Sequence, residues 1–176
     1  MTNRRSALAL AGALTAALAL NACAAANQAE VVTLGFTLEP TSLDISGTAG
    51  QAIPQVLLEN VYEGLVRVND DGSIEPSLAK SFTVSDDGLT YSFSLRDAQF
   101  HDGAPLTADD VVRSLTRLLD DDSTVVLPTQ VAQFARVTEV SSDGDVVTIT
   151  LSERDNDLLY NLTQRGGVIF RKDSSD

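Results

Sequence analysis

Three times along the chain an Asp-Gly pair interrupts strand-like sequence: "NDDGS" (Asn69 to Ser73), "SDDGL" (Ser85 to Leu89) and "SSDGD" (Ser141 to Asp145). Glycine supplies the positive φ that a tight hairpin needs, and aspartate tolerates it. The run after the second pair, "LTYSFSLR", alternates Leu89, Tyr91, Phe93 and Leu95 with Thr90, Ser92, Ser94 and Arg96. Such a strand buries one face and wets the other. "VVTITLSE" alternates likewise through Val147, Ile149 and Leu151. The pattern predicts hairpins and an α+β class. None of the acidic turns has the ligand spacing of an EF-hand loop, so they are read as turns and not as calcium sites.

Between these strands the periodicity changes. "IPQVLLENVYEGL" carries apolar residues at Ile53, Val56, Leu57, Val61 and Leu65, which predicts an amphipathic helix opening at Pro54 and stopping at Gly64. "DNDLLYNLTQRGG" predicts a short helix from Asp157 to Gln164, stopped by Gly166-Gly167, after which "VIF" begins another strand. Upstream, "VVTLGF" (Val31 to Phe36) reads as a buried strand, and "TLEPTSLDISGTAGQ" after it as loop.

The one stretch that resembles a reaction centre is "DAQFHDGAPLTADDVVRSL", residues 97–115, with the sole histidine, His101, beside Asp102 and with Asp109 and Asp110 nearby. A metal site would need these groups to converge on one cation. A triad would need a Ser or Cys held against His101, and no nucleophile elbow is present. Architecture accounts for more of the residues. Asp102-Gly103 makes a turn, Thr107 is the N-cap of a helix, and Asp110 is its capping-box partner three residues on. Leu106 and Val111 are spaced as a hydrophobic staple, and Asp109 and Asp110 sit where a helix dipole favours negative charge. Val111, Val112, Leu115, Leu118 and Leu119 then form a stripe of helical period. His101 is expected to be a hydrogen-bonding loop residue, and no catalytic residue, cofactor or metal ligand is assigned.

The N-terminus addresses location. "MTNRR" precedes an apolar run from Ala7 to Leu20, of signal-peptide length, which ends in "LNAC", Leu20 to Cys23. A lone cysteine directly after such a run is the pattern of a bacterial lipobox, so Cys23 is the expected lipidation site and residues 1–22 the expected signal peptide. The competing reading is an ordinary signal peptide with an incidental cysteine. Residues 23–30 are small and polar, suited to a tether. Twelve Lys and Arg against 25 Asp and Glu leave a net charge of −13, which argues against nucleic-acid binding. One Cys and one His are too few for a usual zinc site.

"ENVYEGL", the long block "PSLAKSFTVSDDGLTYSFSLRDAQFHDGAPLTADDVVRSLTRL" and the lipobox together resemble family 5 extracytoplasmic solute-binding proteins, the receptors of bacterial ABC importers for peptides and nickel. The resemblance runs from about Val32 to Phe170, with its signature between Leu78 and Leu118. "LRDAQFHDG" is one residue shorter before Phe100 than commoner forms, and Ile45 follows Asp44 where proline is frequent.

The resemblance implies a partial periplasmic-binding-protein-like fold (type II, family 5): a mixed sheet with hairpins and short helices. Residues 31–43 would supply the first strand and loop of a ligand lobe, 44–160 an additional α+β domain, and 161–176 the start of the return to the ligand lobe. The chain would stop before the opposite lobe. It further implies no enzymatic activity, but a lipid-anchored, extracytoplasmic, monomeric binding subunit that captures an oligopeptide or similar small solute in a hinged cleft and delivers it to ABC permease membrane subunits. Glu39, Thr41, Ser42, Asn60 and Tyr62 are the candidate ligand contacts; surface loop and helix packing is the alternative for the same five. A non-transporting fragment or small surface interaction module is the alternative for the whole.

Overall fold

Each of the three Asp-Gly pairs at Asp71, Asp87 and Asp143 turns one antiparallel hairpin. The computed structural model describes residues 52–120 and 126–172, together with Thr33, Gly35, Ile45, Ser46, Gly47 and Gly50. The expectations at 1–30, Glu39, Thr41 and Ser42 lie outside these residues, as does most of the strand expected over 31–36. Residues 37–176 form one unit, and 1–36 another of which only Thr33 and Gly35 are described.

The first hairpin joins β1 (Val66–Val68) to β2 (Ile74–Pro76), the second β3 (Ala79–Val84) to β4 (Thr90–Leu95), and the third β5 (Val137–Asp143) to β6 (Val146–Leu151). Gly72, Gly88 and Gly144 have φ of 84°, 70° and 57°, as the turns require. The second and third hairpins merge through β4 and β6 into a four-stranded antiparallel sheet ordered β3-β4-β6-β5. Register sets Phe82, Phe93 and Val147 in one row, and Val84, Tyr91, Ile149 and Val140 in the next.

This face carries the core. Phe93, Val147 and Ile149 are fully buried, and the Phe82 and Phe93 rings lie 5.7 Å apart. The helix α2 (Ala108–Thr116), extended by a 3₁₀ turn to Leu119, lays Val111, Leu115 and Leu118 into the same cluster. Burying a side chain of this size contributes about 1.5–3 kcal/mol. A short helix α3 (Pro128–Gln133), absent from the sequence reading, starts on its proline and leads to the buried Phe134. Helix α4 (Leu158–Leu162) closes the core with Leu158 and Leu162 and lies within the span expected for it, 157–164.

Two expectations change. The helix expected from Pro54 to Gly64 is only α1 (Ala52–Leu57). Glu59 takes a left-handed φ of 65°, and the amides of Val61 and Tyr62 both fold back to Leu57 O. Val61, a member of the expected stripe, is 44% exposed, so the stripe does not continue as one buried helical face. Gly64 is therefore no helix stop. A Cβ on it would stand 2.9 Å from Leu162 O and 3.1 Å from Gly167 O, so glycine is needed for close approach of backbones. Likewise "VIF" forms no strand but an extended segment: Val168 makes a single antiparallel bridge to Gly64, and Ile169 N–H donates to Glu63 O at 3.0 Å.

The close approach at Gly64 is testable because its φ is one that alanine adopts. Gly64→Ala is expected to lower the unfolding free energy by about 1–3 kcal/mol through overpacking, read from urea melts. An unchanged midpoint would mean that the backbone separates there at no cost.

Candidate functional site

The site is built around the junction that enters α2. After β4 the chain crosses Ala98 to His101, turns at Asp102-Gly103 and returns through Ala104 to Leu106. Phe100 N–H bonds to Ala104 O and Gly103 N–H to Phe100 O, both at 2.9 Å, while Ala104 N–H reaches Asp102 Oδ1 at 3.0 Å. Gly103 has φ of 85°. The capping box is present: Asp110 Oδ2 accepts from the Thr107 N–H at 2.8 Å and from the Thr107 hydroxyl at 2.5 Å. Leu106 and Val111, the expected staple pair, both pack into the main core.

Asp110 does more than cap. It is 3% exposed, and its other oxygen, Oδ1, accepts the Lys172 N–H at 2.8 Å from a segment 62 residues away. One turn on, Ser114 Oγ accepts the Phe170 N–H at 2.9 Å and donates to Asp110 O at 2.7 Å. The extended segment 168–172 is thus stitched to α2 by two side chains. Its Phe170 ring is flanked by Tyr62, with centroids 5.4 Å apart, and by the Arg117 guanidinium, 4.3 Å from the ring centre. Arg171 pairs with Asp102 and Lys172 with Asp109, in exposed ion pairs that stabilise by less than about 1 kcal/mol each.

Burial raises the Asp110 pKa, but the bonds from the Thr107 hydroxyl and the Lys172 and Thr107 amides, with the Lys172 charge, outweigh it and hold the carboxylate below its ordinary range. A group depressed in the folded state adds stability above its unfolded value, near pH 4, which is lost as pH falls through the folded value.

Between the junction and this segment lies a cleft of about 310 Å³, near the lower end of small-ligand pockets. Tyr62, Phe100 and Phe170 line it with Leu106 and Ile169, and Glu63, His101 and Arg171 bring polar atoms. His101 is exposed, and its ring makes no hydrogen bond among the described residues, contrary to the bonded loop residue expected. It sits in a turn and finds no acceptor there. No group of three or more His, Cys, Asp or Glu that could hold a metal occurs among the described residues.

Of the five candidate contacts, Tyr62 lies in this cleft. Asn60 does not line it: its side-chain amide donates to Val56 O at 3.1 Å and satisfies a carbonyl at the end of α1. Phe170, Arg171 and Arg117 were not anticipated. Their partners are distant in sequence, and no local pattern marks them.

The family model for bacterial extracellular solute-binding proteins, family 5 Middle, matches residues 73–176. The chain belongs to this family. It is a family of binding proteins, not enzymes, and the signature block from Leu78 to Leu118 lies almost entirely in helix, strand and turn described above.

The glutathione-binding protein GsiB of Escherichia coli O6:K15:H31 (strain 536 / UPEC) is 38% identical over 118 residues, which cover 66% of this chain and 22% of that protein. The periplasmic murein peptide-binding protein MppA of Escherichia coli K12 is 40% identical over 84 residues, 47% of this chain and 15% of its own. The structure of AgaA from A. tumefaciens R10, in complex with agropinic acid, matches with a TM-score of 0.67 at 33% identity, over 75% of this chain and 26% of that one. This chain therefore has part of the family 5 periplasmic-binding-protein fold, and it spans only 22% and 15% of the two curated relatives.

The double duty of Asp110 predicts the behaviour of Asp110→Asn. At neutral pH the variant is expected to lose about 1–3 kcal/mol, because an amide cannot accept at every position the carboxylate serves. The gap should narrow as pH falls below the unfolded value, about pH 4, and close only once pH passes through the lower folded value, where the wild-type group is itself protonated. Urea melts across this range check it; a gap independent of pH would assign the loss to shape and not to charge.

Proposed function

We propose that this chain serves a solute-binding subunit of an ABC importer, taking up a short peptide or peptide-like solute outside the cytoplasm. The observation that carries the reading is the family match over residues 73–176 on a frame that shares its fold with AgaA. The relatives' names speak for the ligand class: glutathione and a murein peptide are peptides, and agropinic acid is a small polar solute.

The geometry around Gly64 supports a division of labour. A second, smaller apolar cluster joins Ile45 to Val168, with Leu57, Leu58, Tyr62 and Phe170 packed on it, apart from the main core. The chain thus enters and leaves the sheet-and-helix frame at one place, where Gly64 bridges Val168. Such a shared point of entry and exit suits a domain inserted beside a ligand lobe, which we bound at residues 44–160. In this reading 31–43 and 161–176 belong to the lobe, and Glu39, Thr41 and Ser42 are its candidate contacts, with Tyr62 at the border. The subunit acts as a monomer, passes its solute to the permease, and is held at the membrane by lipid on Cys23 after removal of residues 1–22.

Uptake and fractionation test both levels of this reading. Cells lacking the gene are expected to lose accumulation of labelled glutathione or a labelled tripeptide and to regain it when the gene is returned. Undiminished uptake of every such peptide would contradict the importer role. In the same cells Cys23→Ser should move the protein out of the membrane fraction; unchanged partition would contradict the lipid anchor alone.

A further inference from the structure

Four Asp-Gly pairs occur in the described chain, at Asp71, Asp87, Asp102 and Asp143, and the fold treats one of them differently. In three, both reacting groups of a possible imide are engaged. Asp71 Oδ1 accepts from Ser73 N–H at 2.9 Å and from the Ser73 hydroxyl at 2.6 Å, while Gly72 N–H donates to Asn69 O at 2.9 Å. Asp87 Oδ1 accepts from Leu89 N–H at 3.0 Å and the Ser85 hydroxyl at 2.5 Å, while Gly88 N–H donates to Ser85 O at 2.8 Å. Asp102 accepts from Ala104 N–H and pairs with Arg171, while Gly103 N–H donates to Phe100 O.

The fourth pair lacks both restraints. Asp143 is exposed, and its carboxylate has no hydrogen bond or ion pair among the described residues. Gly144 N–H makes no hydrogen bond among them either, and the glycine is exposed, with nothing within 4 Å of where a Cβ would stand. The serine hydroxyls, with the amides of Ser73 and Leu89, also hold Asp71 and Asp87 below the usual carboxylate range, which disfavours the protonated form that reacts.

We propose that Asp143-Gly144 is the site at which this protein spontaneously converts aspartate to isoaspartate. The Gly144 nitrogen attacks Cγ of the protonated Asp143 carboxyl. The N–Cγ bond forms, the Cγ–O bond breaks, and the hydroxyl leaves as water with the amide proton. Solvent water then opens the five-membered imide. Opening at the former main-chain carbonyl sends the backbone through Cγ and frees an α-carboxylate, with no net change in mass.

The product carries an extra methylene in the main chain at the base of the β5–β6 turn. Asp143 is there paired with Val146, and Asp145 O accepts the Leu95 N–H of β4 at 2.8 Å. The modification would loosen that end of the four-stranded sheet and leave the other three turns intact.

Trypsin separates the four pairs, since Arg67, Lys80, Arg96, Arg113, Arg136 and Arg154 bracket them in distinct peptides. The purified chain is stored at neutral pH and 37 °C, digested, and each peptide quantified for isoaspartate by isoaspartyl methyltransferase labelling and fragmentation. The peptide 137–154 is expected to gain isoaspartate several-fold faster than the other three, and the four rates should converge in urea. Equal rates in the native chain, or a lead elsewhere, would overturn the proposal. The same lead in urea would place its cause in local sequence and overturn the structural argument. Asp143→Glu, whose longer side chain disfavours the ring, should fold normally and abolish the signal from that peptide; a surviving signal would point to Asp145.

Discussion

The Asp110 carboxylate is the joint on which the arrangement turns. One oxygen closes the N-terminus of α2 through Thr107, and the other holds the amide of Lys172. A buried carboxylate is tolerated only when its charge meets donors on both sides, and here amides and a hydroxyl meet it. With Ser114 and the ring of Phe170 it fixes the returning segment against the helix that covers the sheet. The cleft beside Tyr62 and Phe100 exists because that segment is held there.

What is local in this molecule was legible in the sequence. Three of the Asp-Gly pairs turned hairpins because the positive φ is demanded within four residues of chain, and Thr107 and Asp110 found each other three positions apart. What depends on distant partners was hidden. The helical spacing of Ile53 to Leu65 suggested one long helix, yet Glu59 takes a left-handed φ that breaks it, and Gly64 passes against Leu162 and Gly167. Nothing near Asp110 announces that its second oxygen is meant for Lys172. For the candidate site, Tyr62 shares a cleft with groups the sequence did not connect to it, and Asn60 is a helix cap whose amide was equally suited to either role.

The cluster that most resembles chemistry, His101 with Asp102, Asp109 and Asp110, is divided among separate tasks. Asp102 shapes a turn and pairs with Arg171, Asp109 pairs with Lys172, Asp110 is the joint, and His101 faces solvent. Membership in a family of solute-binding proteins accords with that division, because such a protein needs rigid frames around a cleft and no nucleophile. Three of the four Asp-Gly turns are locked by their own side chains, and the one between β5 and β6 is not.

The central claim is that the segment 168–172 is fastened to α2 by Asp110 and Ser114 and is no loose end. Amide hydrogen exchange followed by NMR reads this directly. The amides of Phe170 and Lys172 are predicted to exchange as slowly as those within α2 and to lose that protection together as the carboxylate is protonated. Exchange of both amides at the rate of an unstructured peptide at neutral pH would contradict the account.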